Sequence, residues 1–191
     1  MSKRIAFLSA AALGALALTA TAIAPAVAKD KMKSEMSSDK TVMVGGAPMY
    51  PSKNIIQNAV NSKDHTTLVA AVKAAGLVKT LEGPGPFTVF APTNAAFGKL
   101  PPGTVETLVK PESKATLTKI LTYHVVPGRL QASALTDGKK LKTVEGETLT
   151  VRNSGGQVML VDAKGGMSTV TIPNVNQSNG VIHVVDTVLM P

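Results

Sequence analysis

The chain has three histidines, His65, His124 and His183, and no cysteine. Three neutral imidazoles would suit zinc, but these stand far apart in sequence and only folding could gather them. Without cysteine, thiolate metal sites and thiol nucleophiles are excluded. Glu145 and Glu147 are the closest carboxylate pair. Strand alternation places both on one face beside a turn, where solvent is the expected partner. There is no Gly-x-Ser-x-Gly, no phosphate-binding loop and no His-Glu-x-x-His. Met32, Met36, Met43 and Met49 cluster early in the chain. Spaced thioethers can hold Cu(I), but the spacing is irregular, no histidine accompanies them, and they read as incidental. No enzymatic activity, metal or cofactor is expected.

The elements that would position these residues change character along the chain. Ser52 is a plausible cap for a first helix carrying Ile55, Ile56, Ala59 and Val60 on one side. Asp64 is expected to cap a second, lined by Leu68, Val69, Val72 and Ala75 and ended by Gly76. Glu82 to Pro86 is a loop by composition. Phe87 to Phe90 is a short strand, and Thr93 caps a short helix through Phe97. Thr104 caps a turn through Val109. Lys114 to Tyr123 is helical, with Leu117, Ile120 and Leu121 at the spacing of a buried stripe that His124 extends. Beyond Pro127-Gly128 the residues favour strands: 141–144, 148–152, 158–161, 169–172 and 181–189. Gly155-Gly156, Gly165-Gly166 and Ser178-Asn179-Gly180 supply the turns. Helices in one half and antiparallel strands in the other imply an α+β fold. Phe87, Phe90 and Phe97 are expected to anchor one core. His124 and His183 are expected as core histidines with hydrogen-bond partners.

The N-terminus has the plan of a signal peptide, residues 1–28. Lys3 and Arg4 precede an uncharged stretch from Ile5 to Leu18, and Pro25 and Ala26-Val27-Ala28 form a cleavage site. Residues 29–44 read as a flexible linker and 45–191 as the folded domain. No integral membrane anchor is expected, and the protein should be exported, either periplasmic or extracellular. The net charge of +8 becomes +6 once Lys3 and Arg4 are removed. The lysines are scattered and tryptophan is absent, so the aromatic-plus-basic stripe of a nucleic-acid platform is missing.

Three segments resemble the fasciclin (FAS1) domain family. They are Thr88-Val89-Phe90-Ala91-Pro92-Thr93-Asn94-Ala95-Ala96-Phe97, Leu121-Thr122-Tyr123-His124-Val125-Val126-Pro127-Gly128, and Asn179-Gly180-Val181-Ile182-His183-Val184-Val185-Asp186, which runs on to Pro191. Their order and spacing match the family's first box, Tyr-His motif and second box, and the resemblance spans about Asn54 to Pro191. It implies a wedge or sandwich of mainly antiparallel strands with several helices alongside. It also implies an adhesion module for a cell-surface or matrix protein or polysaccharide. A monomer is expected, and the composition above leaves no role for nucleic acid. Tyr123 and His124 keep the Tyr-His motif credited with adhesion. Some animal members engage integrins through Pro-Asp-Ile before the second box. Here Pro173-Asn174-Val175 lacks the carboxylate. The implied binding residues are Tyr123, His124, Asn174 and Val175. A rival reading is a binder of a small apolar ligand or lipid in the wedge, which requires a real cavity beside the boxes.

The export reading fixes a mass. Protein recovered from periplasm or medium should begin at Lys29 by intact mass spectrometry. Full-length chain in membranes would show that residues 1–28 are retained as an anchor.

Overall fold

The computed structural model describes residues 41–191. The expected signal peptide and most of the expected linker lie outside the described residues. The linker reading does not extend to residue 44, because Val42–Val44 is a strand, β1. It pairs antiparallel with β2, Ala47–Met49, around Gly45-Gly46. The glycine pair is therefore a hairpin turn within the fold. A Cβ on Gly45 would lie 2.4 Å from the Ser62 hydroxyl, so the turn is tight against the next element.

The helices follow. They are α1 (Ile55–Ala59), α2 (Thr66–Ala75), α3 (Val78–Glu82), α4 (Asn94–Gly98), α5 (Thr104–Leu108) and α6 (Lys114–Tyr123). Asn54, not Ser52, caps α1, in a reciprocal capping box with Gln57. The buried side chains of α1 are Ile55, Ile56 and Asn58, and Val60 faces solvent. Asp64 does not cap α2. The carboxamide oxygen of Asn94 accepts from Thr67 N–H at 3.0 Å instead. Gly76 ends α2 in the left-handed conformation and Thr93 caps α4, as expected. The cap of α5 is Gly103 rather than Thr104.

Seven strands form the main sheet: β3 (Phe87–Pro92), β4 (Val125–Pro127), β5 (Lys140–Lys142), β6 (Thr148–Ser154), β7 (Gln157–Val161), β8 (Met167–Gln177) and β9 (Gly180–Val185). Their spatial order is β4-β3-β9-β8-β7-β6-β5. Every pairing is antiparallel except β3 with β9. The sheet curls far enough for Val144 N–H, just after β5, to reach the Val125 carbonyl of β4 at 2.8 Å. The α+β reading holds. Strand bounds differ from the sequence reading throughout, most at two strands, and β4 was not foreseen. β8 runs on through Pro173, which two register irregularities accommodate. The last strand stops at Val185.

The curled sheet divides the apolar side chains into two clusters. One lies between the sheet and the helices and includes Val89, Ala91, Phe97, Leu121, Ile182 and Val184. The other lies within the curl and includes Phe90, Tyr123, Leu149, Leu160 and Val185. The three phenylalanines therefore do not share one core. Strand alternation sends Phe90 to the opposite face from Val89 and Ala91, while Phe97 and the partly buried Phe87 stay on the helix side. All six residues of β9 are buried, because it is central and covered on both faces. Its start leaves no room for a side chain. A Cβ on Gly180 would sit 2.1 Å from the Phe87 carbonyl oxygen.

Phe90 is wholly buried. Phe90→Ala should cost about 3–5 kcal/mol in denaturant unfolding. A loss below about 1 kcal/mol would contradict a close-packed inner cluster.

Candidate functional site

The Tyr-His motif ends α6 and turns the chain into β4. Tyr123 faces the inner cluster at 0% exposure. Its hydroxyl accepts from Ala163 N–H at 3.0 Å, and burial pushes its pKa above the ordinary phenol value. His124 is 2% exposed. Its Nδ1–H donates to the Ile120 carbonyl at 2.8 Å, and its Nε2 accepts from Leu189 N–H at 3.0 Å. These two bonds fix the tautomer and tie the end of α6 to the C-terminal segment.

His183 does the equivalent on β9. Its Nε2–H donates to the Leu130 carbonyl at 2.8 Å and its Nδ1 accepts from Asn174 N–H at 3.3 Å. Its ring stacks on Phe90 with centroids 5.6 Å apart. The expectation of core histidines is met at both positions. His65, left unexplained by the sequence, is also buried. Its Nδ1 pairs with the Ser62 hydroxyl at 2.9 Å.

The four residues implied by the resemblance are not a contact surface as a set. Tyr123, His124 and Val175 (1% exposed) are interior, and only Asn174 reaches the surface in part. The burial of Tyr123 therefore corrects its implied role as a binding residue in direct contact with a partner. The cause is the helix phase at the end of α6, which turns the ring into the sheet's curl. Asn174 adopts φ 59°, a left-handed conformation that asparagine tolerates. Its carboxamide oxygen is occupied by Ala132 N–H at 2.7 Å.

What the structure does bring together is the backbone around these residues. After Gly128 the chain lies along β8. Arg129 donates to the Gln177 carbonyl at 2.7 Å, and Gln131 donates to Asn176 at 2.8 Å. Thr88 pins the same segment, donating to the Gly128 carbonyl at 2.6 Å and accepting from Leu130 N–H at 2.9 Å. The result is a surface shoulder with Pro127, Arg129, Pro173 and Ser178 exposed. Beside it an open cleft of about 340 Å³ is bounded by Pro84, Gly85, Pro86, Arg129, Ser178 and Asn179.

Sequence reasoning missed the buried and motif carboxamides. Asn58 exchanges hydrogen bonds with the backbone of Tyr50, at 3.1 Å and 2.8 Å, and donates to Gln177. Asn94 also donates to the Lys63 carbonyl. Asn179 donates to the carbonyls of Leu81 and Gly83 and accepts from Ile55 N–H. Asn94 and Asn179 lie inside the quoted boxes, and that was the available signal. Glu145 and Glu147 are not left to solvent either, since Lys119 reaches both, at 3.6 and 3.4 Å. Among the described residues no three His, Cys, Asp or Glu side chains are grouped to hold a metal ion. Met49 is buried in the outer cluster while Met43 on the paired strand is exposed, so these two thioethers do not converge.

A profile described as the fasciclin domain matches residues 63–191. The chain is 46% identical to Protein sll1483 of Synechocystis sp., over 92% of this chain and 93% of that protein. It is 38% identical to Immunogenic protein MPB70 of Mycobacterium bovis, over 70% of this chain and 66% of that one. Among solved structures it resembles a FAS1 domain pair from the insect cell adhesion molecule fasciclin I. That match has a TM-score of 0.66 and 18% identity, covering 73% of this chain and 51% of the other. It is a likeness of fold.

The histidines make stability depend on pH. Burial lowers the His124 pKa to about 4, and the hydrogen bond to Ile120 only partly opposes this. Burial also lowers His183 and His65. An unfolded histidine titrates near 6.5. Between pH 6.5 and 4 the unfolded chain gains a proton that native His124 refuses, so stability falls as pH drops through that window. The loss from His124 alone should approach about 3 kcal/mol. Urea melts at pH 7.5 and 4.5 read it directly, and equal midpoints would contradict a neutral buried imidazole.

Proposed function

The chain belongs to the fasciclin domain family, and from that premise we propose that it is an exported, non-enzymatic, monomeric adhesion module for a cell-surface or matrix protein or polysaccharide. The domain pair that this fold resembles comes from a cell adhesion molecule. The observation that carries this reading is the shoulder beside β8, where the segment after the Tyr-His motif meets the segment before the second box. Both segments implied in binding end on one surface, although the motif side chains point inward. The Arg129 guanidinium holds the shoulder through one nitrogen and remains exposed. Its other N–H groups are suited to the carbonyls of a protein or the hydroxyls and carboxylates of a polysaccharide. The adjacent cleft is open, with Arg129, Ser178 and Asn179 beside Pro84, Gly85 and Pro86, which suits a chain lying across it. No helix among the described residues is long and apolar enough to cross a membrane. Export in this reading rests on residues 1–28, with the periplasm or the medium as the destination.

In this reading Tyr123, His124, Asn174 and Val175 serve binding by shaping the shoulder. Asn174 brings no carboxylate to share a metal ion with a receptor. Binding to envelope material should therefore survive chelation of divalent ions. Arg129→Ala should weaken it by at least about 1 kcal/mol while circular dichroism stays native. Tyr123→Ala should instead unfold the domain. Envelope binding by Arg129→Ala equal to that of the unaltered domain would remove the shoulder from the site.

A further inference from the structure

A cavity of about 40 Å³ lies between the sheet and the helices, away from the shoulder. All three motif segments contribute to its wall. Val89 and Ala91 come from the first, Leu121 and His124 from the second, and Ile182 from the last. The opposite wall is the β1–β2 hairpin, α1 and α2. The lining is almost wholly apolar, and Ser62, His65 and His124 supply the side-chain polar atoms. Of these, His124 has both ring nitrogens occupied. The Ser62 hydroxyl is engaged with His65 Nδ1. That leaves Nε2 of His65, which makes no hydrogen bond of normal geometry although the residue is only 3% exposed; the Ala91 backbone is near enough to favour the protonated ring, without closing such a bond.

A buried ring nitrogen without a partner is destabilising, and so is an unfilled space in a core. Both are relieved by one occupant. A single water fits the volume but would find few polar groups, where a buried water ordinarily makes about three hydrogen bonds. An apolar body with one oxygen matches the lining better. Such a molecule is larger than the cavity as it stands, so a wall must give way to admit it, and the hairpin and the short α1 are the wall most easily displaced, since neither a lone two-stranded hairpin nor a single-turn helix is stable outside its packing.

We propose that this cavity is a binding site for a small, slim apolar molecule bearing one hydroxyl or carbonyl oxygen, which bonds to Nε2 of His65. The Ser62 hydroxyl can donate to or accept from Nδ1, so Nε2 presents either a proton or a lone pair to that oxygen. The cavity shares His124 and Val175 with the residues that shape the shoulder but does not include Arg129, so the Arg129→Ala and His65→Phe variants let either reading fail without the other.

The test uses the exported chain, isotopically labelled, titrated with 1-pentanol and with 1-chloropentane as the probe that lacks the oxygen. Saturable shifts for 1-pentanol at the amides of His65, Ala91 and Ile182 and at the His65 ring are expected. Its affinity should exceed that of 1-chloropentane by about fivefold. His65→Phe should abolish that preference. Ala59→Leu, which fills the cavity from α1 and keeps His65, should abolish binding of both probes in a folded protein. The proposal is overturned by the absence of saturable shifts at those sites, by equal affinity for the two probes, or by undiminished binding to folded Ala59→Leu. A long-lived water detected at the His65 ring and not displaced by 1-pentanol would overturn it too.

Discussion

The parallel ladder between Phe87–Pro92 and Gly180–Val185 joins strands that are distant in sequence, and the rest of the fold is arranged around it. Its closeness depends on Gly180, whose missing side chain leaves space for the Phe87 carbonyl. Because β9 lies between β3 and β8, both of its faces must be covered. The helices cover one, and the curl of the antiparallel strands covers the other. The two apolar clusters are the two sides of this one ladder.

Polar side chains then hold the layers in place. Asn94 pins the start of α2 and Asn179 pins the loop after α3, while His124 and His183 tie α6 and the following segment to the C-terminal strand and tail. Each satisfies backbone groups that would otherwise be buried without partners. The residues that look most like chemistry in the sequence are therefore bound up in holding the fold. Burial that keeps the imidazoles neutral also makes them a liability in acid.

The proposed binding role moves outward as a result. With Tyr123 and His124 interior, the contact in that proposal falls to the backbone that they position rather than to the rings themselves. The shoulder is built from two segments fixed by Thr88, Arg129, Gln131 and Asn174. Such fixation suits a binding surface, since ordering has been completed before a partner arrives.

Residue type and spacing alone determined the α+β class, α6 from Lys114 to Tyr123, the Gly76 stop, the Thr93 cap, the Gly155-Gly156 hairpin and the covered last strand. These are local signals, carried by capping chemistry, periodicity and glycine's conformational range. The three boxes also pointed to the family. Which face each motif side chain takes was decided only by the tertiary structure. Tyr123 is at the end of a helix whose phase relative to the sheet no local pattern encodes, and Phe90 parts from Phe97 because the curl creates a second interior. The partner that caps α2 lies in another element, and Asp64 gave no sign of that. The cavity at His65 likewise exists only where the hairpin, two helices and the central strands meet, and packing between distant segments is not written in the spacing of any one of them.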